Sequence, residues 1–204
     1  MDPEIERYAV EHTSPLEPDL AVIAQATHDQ TDSPEMMTGL VETRLLQTLV
    51  RLARARRVLE VGTFTGFGAL AMAEAIGPGG TVTTLEANPD TAAVARAHLA
   101  AHPAGGRVEL LCGDALQLLT TLTGPFDLAY VDAWKTDYPA YLERVLPLLS
   151  TDGLMVFDNV LRGGHALEPG DPVGAFNDLV QADVRVGNAL LTIGDGVLVV
   201  WPVV

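Results

Sequence analysis

"VLEVGTFTGFGAL", residues 58 to 70, runs from a short β-rich segment through Gly62, Gly66 and Gly68 into a stretch with helical character. A glycine-rich turn between a parallel strand and its helix is where open α/β sheets receive small ligands. The stretch therefore predicts a fold and also the edge of the sheet at which chemistry takes place. Its glycines do not follow the dinucleotide fingerprint, because counting from Gly62 finds Phe64 and Phe67 where G-x-G-x-x-G needs its second and third glycines. With Glu60 ahead of the turn, the pattern E-x-G-x-x-x-G suits a cofactor that offers an amine and a carboxylate rather than a pyrophosphate. Helix N-terminal amides can receive the carboxylate.

Outward from this turn, β-rich runs alternate with helical stretches, the pattern of a parallel sheet covered on both faces. Strands are predicted near 57–61, 81–86, 107–111, 126–131, 153–158, 184–190 and 196–201, with helices near 67–76, 89–101, 114–121, 137–149 and 172–181. The last two strands meet through "TIGDG" with no helix between them and read as an antiparallel hairpin. Residues 1–56 read as helices broken at Pro15, Pro18 and Pro34. The expectation is an α/β fold in one domain, 1–204. It has an N-terminal helical cap (1–56) on a seven-stranded, mostly parallel sheet core (57–204). "NVLRGGHALEPGDP", 159–172, is the one long loop and reads as a lid.

A formal charge of −15 opposes a polyanionic partner, so nucleic acid is not expected. "RLARARR", with Arg51, Arg54, Arg56 and Arg57, is the exception; it closes a helical segment where cations complement the dipole, and no aromatics are interleaved to stack bases. Cys112 is the single cysteine, so no intrachain disulfide is possible. No run approaches the roughly 20 apolar residues of a membrane span. These features predict a soluble, cytoplasmic protein.

Acidic residues recur at the predicted strand ends. Glu86 closes the second strand in "TTLEANP", where a carboxylate can accept from ribose hydroxyls. Asp114 follows the third in "CGDALQLL", as an N-cap or within reach of an adenine amino group. Asp132 follows the fourth, and Asp158-Asn159 the fifth. Two carboxylates and an amide oxygen on neighbouring strands form a hard donor set for Mg²⁺, Mn²⁺ or Ca²⁺, although Asp158-Asn159 also reads as a plain turn. Lys135 is the only lysine among 12 basic Lys and Arg residues. Three residues past Asp132, it can act as a base that arginine cannot replace, or it can sit in an ordinary ion pair. Trp134 fits either core or pocket. His165 and Arg162 lie in the lid, as solvated side chains or, for Arg162, as a guide for an anionic acceptor.

"VLEVGTFTGFGALAMA", "GDAL", "VDAWKTDY", "FDNVLRGG" and "IGDG" together resemble the class I S-adenosylmethionine-dependent methyltransferases, and within them the cation-dependent group of catechol and caffeoyl-CoA O-methyltransferases. The resemblance runs from about Met36 to the terminal hairpin. It implies the Rossmann-like class I methyltransferase fold, with cofactor contacts at Thr38, Glu60, Gly62, Gly68, Glu86, Asp114 and Asp132. It implies a divalent metal, Mg²⁺ or a relative, on Asp132, Asp158 and Asn159, and Lys135 as the catalytic base. The acceptor would be a small dihydroxylated aromatic, and homodimers are common in the group. One departure stands out: the catechol enzyme's acceptor-binding glutamate falls near Ala189, beside Asn188.

Overall fold

The structure is a computed structural model that describes residues 3–203. Helices α1 (Pro3–Glu11), α2 (Pro18–Gln30) and α3 (Leu40–Leu52) precede the sheet, with a 3₁₀ turn at Pro34–Met36. Then follow β1 (Arg57–Val61), α4 (Phe67–Ala75), β2 (Thr81–Glu86), α5 (Pro89–Ala101), β3 (Val108–Cys112), α6 (Ala115–Leu119) and β4 (Phe126–Val131). The chain ends with α7 (Tyr138–Val145), β5 (Leu149–Phe157), α8 (Pro172–Ala182), β6 (Val186–Leu191) and β7 (Val197–Pro202).

The seven strands lie in the order β3-β2-β1-β4-β5-β7-β6. β3, β2, β1, β4 and β5 pair in parallel, and β7 runs antiparallel to both β5 and β6. Side chains alternate across the sheet with period two. Leu59, Val61, Ala129, Val131, Met155 and Phe157 face one way, packing with Tyr138, Leu142 and Val145 of α7 and Phe176 and Val180 of α8. Val58, Leu128, Tyr130 and Val156 face the other way, onto Leu46 and Val50 of α3 and Ala69, Met72 and Ala73 of α4.

α4 is apolar all round because it is enclosed on all sides: residues 67 to 73 are buried between the sheet and the N-terminal helices. α3 shows the complementary pattern, burying Thr43, Leu46, Gln47 and Val50 at helical spacing against it. Leu20 and Ile23 of α2 pack on Phe67, Leu70 and Ala71. α3 therefore packs on the sheet and on α4, and α2 on α4, while α1 buries none of its residues.

Two expectations shift. β5 begins at Leu149, four residues before the predicted 153, and its pairing with β4 slips register between Phe126 and Leu128. The long loop is also more ordered than its glycines suggest. Residues Arg162–Leu167 form 3₁₀ turns, with Gly163 and Gly164 at positive φ.

Candidate functional site

The parallel ladder continues one step beyond each strand and draws the strand-end residues into a row. Gly113 N–H donates to Glu86 O (2.8 Å), Gly62 N–H to Leu85 O (3.0 Å), Asp132 N–H to Val61 O (2.9 Å) and Asp158 N–H to Val131 O (3.1 Å). Asp114, Glu86, Gly62, Asp132 and Asp158 thus follow one another along a single edge of the sheet in the order β3, β2, β1, β4, β5.

Gly62 is where this row is tightest. Its φ is +102°, and a Cβ there would collide with the Asp132 carbonyl, so the turn after β1 can lie against the end of β4 only with glycine. Gly68, in the first turn of α4, has a related constraint: a Cβ would stand 2.5 Å from Glu60 Oε1. The Glu60 side chain is held under that helix turn, only 1% of the residue is exposed, and its Oε2 accepts from Thr84 Oγ1. Burial pushes its pKa up to about 8 against the Thr84 hydrogen bond, with a smaller contribution from the Asp132 charge. Thr38, just before α3, lies near the same place: its Oγ1 is 3.5 Å from Tyr130 Oη and would be 3.9 Å from a Gly68 Cβ.

Glu86 clamps the glycine turn from the next strand. Its Oε2 accepts from Phe64 N–H (2.9 Å), where φ is +50°, and its Oε1 from Asn88 N–H (2.9 Å). Asp114 is the N-cap of α6, its Oδ1 accepting from Gln117 N–H at 2.9 Å. The cofactor-side residues of the sequence reading therefore fall in one stretch of the edge, with Asp114 at its exposed end.

The second cluster lies where β4 and β5 end side by side, Val131 paired with Phe157. Asp158 is buried, and its Oδ1 accepts from Asn159 N–H (2.7 Å), with Asn159 at φ +52°. Its Oδ2 accepts from the Tyr130 hydroxyl (2.7 Å), a partner that sequence reasoning missed. Burial, then the nearby Asp132 charge, pushes Asp158 up to about 6. The Tyr138 hydroxyl donates to Asp158 O (2.7 Å), tying the end of β5 to the start of α7.

Lys135 opens the 3₁₀ turn Lys135–Asp137, and that turn carries its half-buried amine back to Asp132, where Nζ donates to Oδ1. The amine also stands 5.3 Å from the Tyr138 ring centroid. Asp132, Lys135, Asp158 and Asn159 are thus together.

Glu42 is a second residue the sequence did not single out. It is in the first turn of α3 and accepts from Gly39 N–H at 3.2 Å. It lines a tight crevice, too narrow for water, with Tyr130, Val156, Asp158 and Val197. Burial, followed by the Asp158 charge, pushes Glu42 up to about 7. The signal for Tyr130 was available: two residues before Asp132 on a buried strand, a tyrosine hydroxyl needs a polar partner. Glu42 carried no such local signal.

The remaining expectations divide. Trp134 is 73% exposed, so it is not a core residue; the 3₁₀ turn presents it outward. Arg162 is paired with Asp171 at 2.7 Å, and Asp171 also caps α8 through Val173 N–H and Gly174 N–H, which leaves the guanidinium anchored rather than free to guide an acceptor. His165 is exposed, 2.9 Å from Glu168. Asn188 reaches Gln181 and Ala189 is exposed on the edge strand β6. No helix among the described residues is long and apolar enough to cross a membrane.

Comparison with known proteins bears on the family and the fold. The family model described as O-methyltransferase matches residues 10–202. Catechol O-methyltransferase of Mycobacterium tuberculosis is 39% identical over 153 residues, covering 74% of this chain and 70% of the relative. Caffeoyl-CoA O-methyltransferase of Stellaria longipes is 30% identical over 179 residues, covering 79% of this chain and 74% of the relative. The O-methyltransferase TomG of Streptomyces achromogenes, solved in complex with SAM, superposes over 100% of both chains with a TM-score of 0.90 at 30% identity.

Proposed function

This chain belongs to the O-methyltransferase family, and from that premise we propose that it carries the methyl group of S-adenosylmethionine to one hydroxyl of a vicinal dihydroxylated aromatic acceptor, with a divalent cation held by Asp132, Asp158 and Asn159. The observation that carries the reading is the pairing of two carboxylates on adjacent strand ends with the chain's one lysine amine resting on Asp132.

Both implied groups fit the residues present. Glu60 is a buried carboxyl whose ionised form is disfavoured, and Gly68 leaves open the space beside its Oε1. A cationic amine placed there relieves that cost. Asp132, Asp158 and Asn159 offer only oxygen donors, and Asp158 carries an unfavourable charge from Asp132, the donor chemistry that Mg²⁺ or Mn²⁺ satisfies. When bound, the cofactor supplies the methyl group and the cation supplies Lewis acidity that lowers the pKa of an acceptor hydroxyl.

The chain's own residues do the rest. Glu60, Gly68 and Thr38 would hold the amino-acid end of the cofactor, Gly62 would let it lie against the row, and Glu86 and Asp114 would receive the ribose and adenine. The Lys135 Nζ, once released from Asp132 and having given its extra proton to solvent, takes the proton from the hydroxyl that is to be methylated. Tyr130 and Tyr138 hold Asp158 from both sides, so the acceptor oxygen meets a rigid frame and positioning contributes much of the rate. Exposed Ile5 and Tyr8 on α1, a helix with no buried residue, support a homodimer in a cytoplasmic enzyme, which sedimentation would check.

The test is activity on a 1,2-dihydroxybenzene with S-adenosylmethionine. It should vanish with a chelator and return with Mg²⁺ or Mn²⁺. Full activity after exhaustive chelation would make the Asp132, Asp158 and Asn159 set structural.

A further inference from the structure

The "IGDG" turn between β6 and β7, Ile193–Gly196, has no part in methyl transfer as described above, yet each of its last three residues meets the site. Gly194 lies at φ +52°, and a Cβ there would collide with the Glu42 carboxylate. Asp195 O accepts from Leu161 N–H (2.7 Å) and Arg162 N–H (3.2 Å), and its side-chain Oδ1 accepts from Gly163 N–H (2.6 Å). Gly196 O accepts from Val160 N–H (3.0 Å), and a Cβ on Gly196 would press on Leu161. Four consecutive backbone N–H groups, from Val160 to Gly163, are therefore held by two residues of one turn.

The segment so held follows directly on Asp158-Asn159. Arg162 within it, at φ +50°, and Asn159 just before it, at φ +52°, are non-glycine residues in the left-handed region. Such backbone persists only where its surroundings over-determine it. On the opposite side the turn meets Glu42, which accepts from Gly39 N–H next to Thr38 and whose carboxylate lies against Gly194. The turn is thus packed against the start of α3, on the cofactor side, and bonded to the segment after Asp158, on the acceptor side.

We infer that Ile193–Gly196 is a clasp and that Asp195 and Glu42 are positioning residues within it, setting the Asn159–Gly163 backbone relative to Thr38 and so choosing which acceptor hydroxyl faces the methyl group. The choice of hydroxyl rests on the function proposed above; the clasp itself does not. Asp195 touches neither reacting atoms nor Asp158. It acts through the N–H groups it holds, and the Oδ1 to Gly163 bond is the part a substitution can remove while the backbone bonds stay.

Hydrogen exchange and product analysis of Asp195→Ala, Asp195→Asn and Glu42→Ala test this. Asp195→Ala should speed exchange at Gly163 at least tenfold, leave S-adenosylmethionine affinity within about twofold, raise the acceptor KM more than it lowers kcat, and shift the ratio of the two monomethylated isomers. Asp195→Asn keeps an oxygen acceptor and should restore most of the wild-type exchange and isomer ratio. Glu42→Ala should shift the ratio in the same direction. Unchanged exchange at Gly163 in Asp195→Ala would overturn the clasp, and an unchanged isomer ratio with faster exchange would overturn its role in positioning. If the wild type fails to methylate any vicinal diol, the proposed acceptor class falls instead, and exchange at Gly163 still decides the clasp.

Discussion

Replacing Glu60 by glutamine should strengthen the ligand-free protein and weaken the cofactor complex, two effects of opposite sign from one side chain. Glu60 sits at about 8 where an ordinary glutamate titrates near 4.5, chiefly because it is buried. At about 1.4 kcal/mol per unit, that displacement corresponds to roughly 5 kcal/mol as an upper bound. The folded state holds the proton more tightly than the unfolded chain. Below about pH 4.5 both states are protonated and nothing is lost. Between 4.5 and 8 the unfolded chain ionises first, so stability falls as pH rises, and above 8 the full penalty is present.

Glutamine removes that penalty but places an NH₂ beside Gly68 and Thr84, which returns part of the gain. The net expectation for Glu60→Gln is a stabilisation of about 2–3 kcal/mol at pH 9 that vanishes at pH 4. Chemical denaturation at both pH values measures it. In the complex the carboxylate must be ionised to meet an ammonium, so wild-type affinity should rise with pH up to about 8. Calorimetry at pH 7 in two buffers of different ionisation enthalpy should show a proton released on binding. The variant should lose roughly 1.5–3 kcal/mol of affinity, the worth of a hydrogen bond to a charged group, and release no proton. A variant that is less stable than wild type at pH 9, with a pH-independent wild-type affinity, would refute the reasoning.

Three further outcomes are expected. Lys135→Arg keeps the charge beside Asp132 but not a removable proton, so kcat should fall by about 10²–10⁴ with S-adenosylmethionine affinity nearly unchanged, and turnover near the wild-type rate would leave deprotonation to solvent. Gly62→Ala forces a Cβ into the Asp132 carbonyl at a positive φ; it should destabilise the fold by more than about 1 kcal/mol and move the Asp132 end of β4, visible as loss of both stability and activity. Glu74 faces His102 at 3.3 Å and is pushed up to about 7 by burial and then by the charge of Glu17. Stability contributed there falls as pH rises from about 4.5 to about 7, so Glu74→Gln should gain on the order of 1–2 kcal/mol at pH 8 and little at pH 4, and equal gains at both would contradict it.

What could be read in the chain tracks how local each signal is. β1, β2 and β4 are short runs rich in β-forming residues that end at or just before an acid or glycine, and their predicted bounds agree with the structure. The start of β5 was hidden because "LSTDG" has the composition of a turn, while in the fold it pairs across a register slip opposite Phe126. The hairpin was legible from "TIGDG", but nothing local says that its second strand, β7, is the one inserted beside β5. The same limit governs the site. Asp132, Lys135 and Asp158-Asn159 announce themselves by position at strand ends. Tyr130 and Glu42 acquire meaning only from Asp158, which lies far along the chain and is brought to them by the sheet and by α3.

The electrostatics of the edge bear on how the enzyme waits for its ligands. Glu42, Glu60 and Asp158 all have raised pKa values, each primarily from burial and each with a neighbouring carboxylate adding to it. Against them stand Lys135, already on Asp132, and Arg162, already on Asp171. A cluster of this kind destabilises the ligand-free fold at neutral pH, and the cost is recovered only when positive charge enters. The cofactor's ammonium and sulfonium would enter on the Glu60 side and a divalent ion on the Asp158 side, and Asp132 acts on both Glu60 and Asp158. Neutralising Asp132 from one side therefore eases ionisation of the acid on the other. If both groups bind as proposed, they would bind with positive coupling through a shared carboxylate, with no change of shape required.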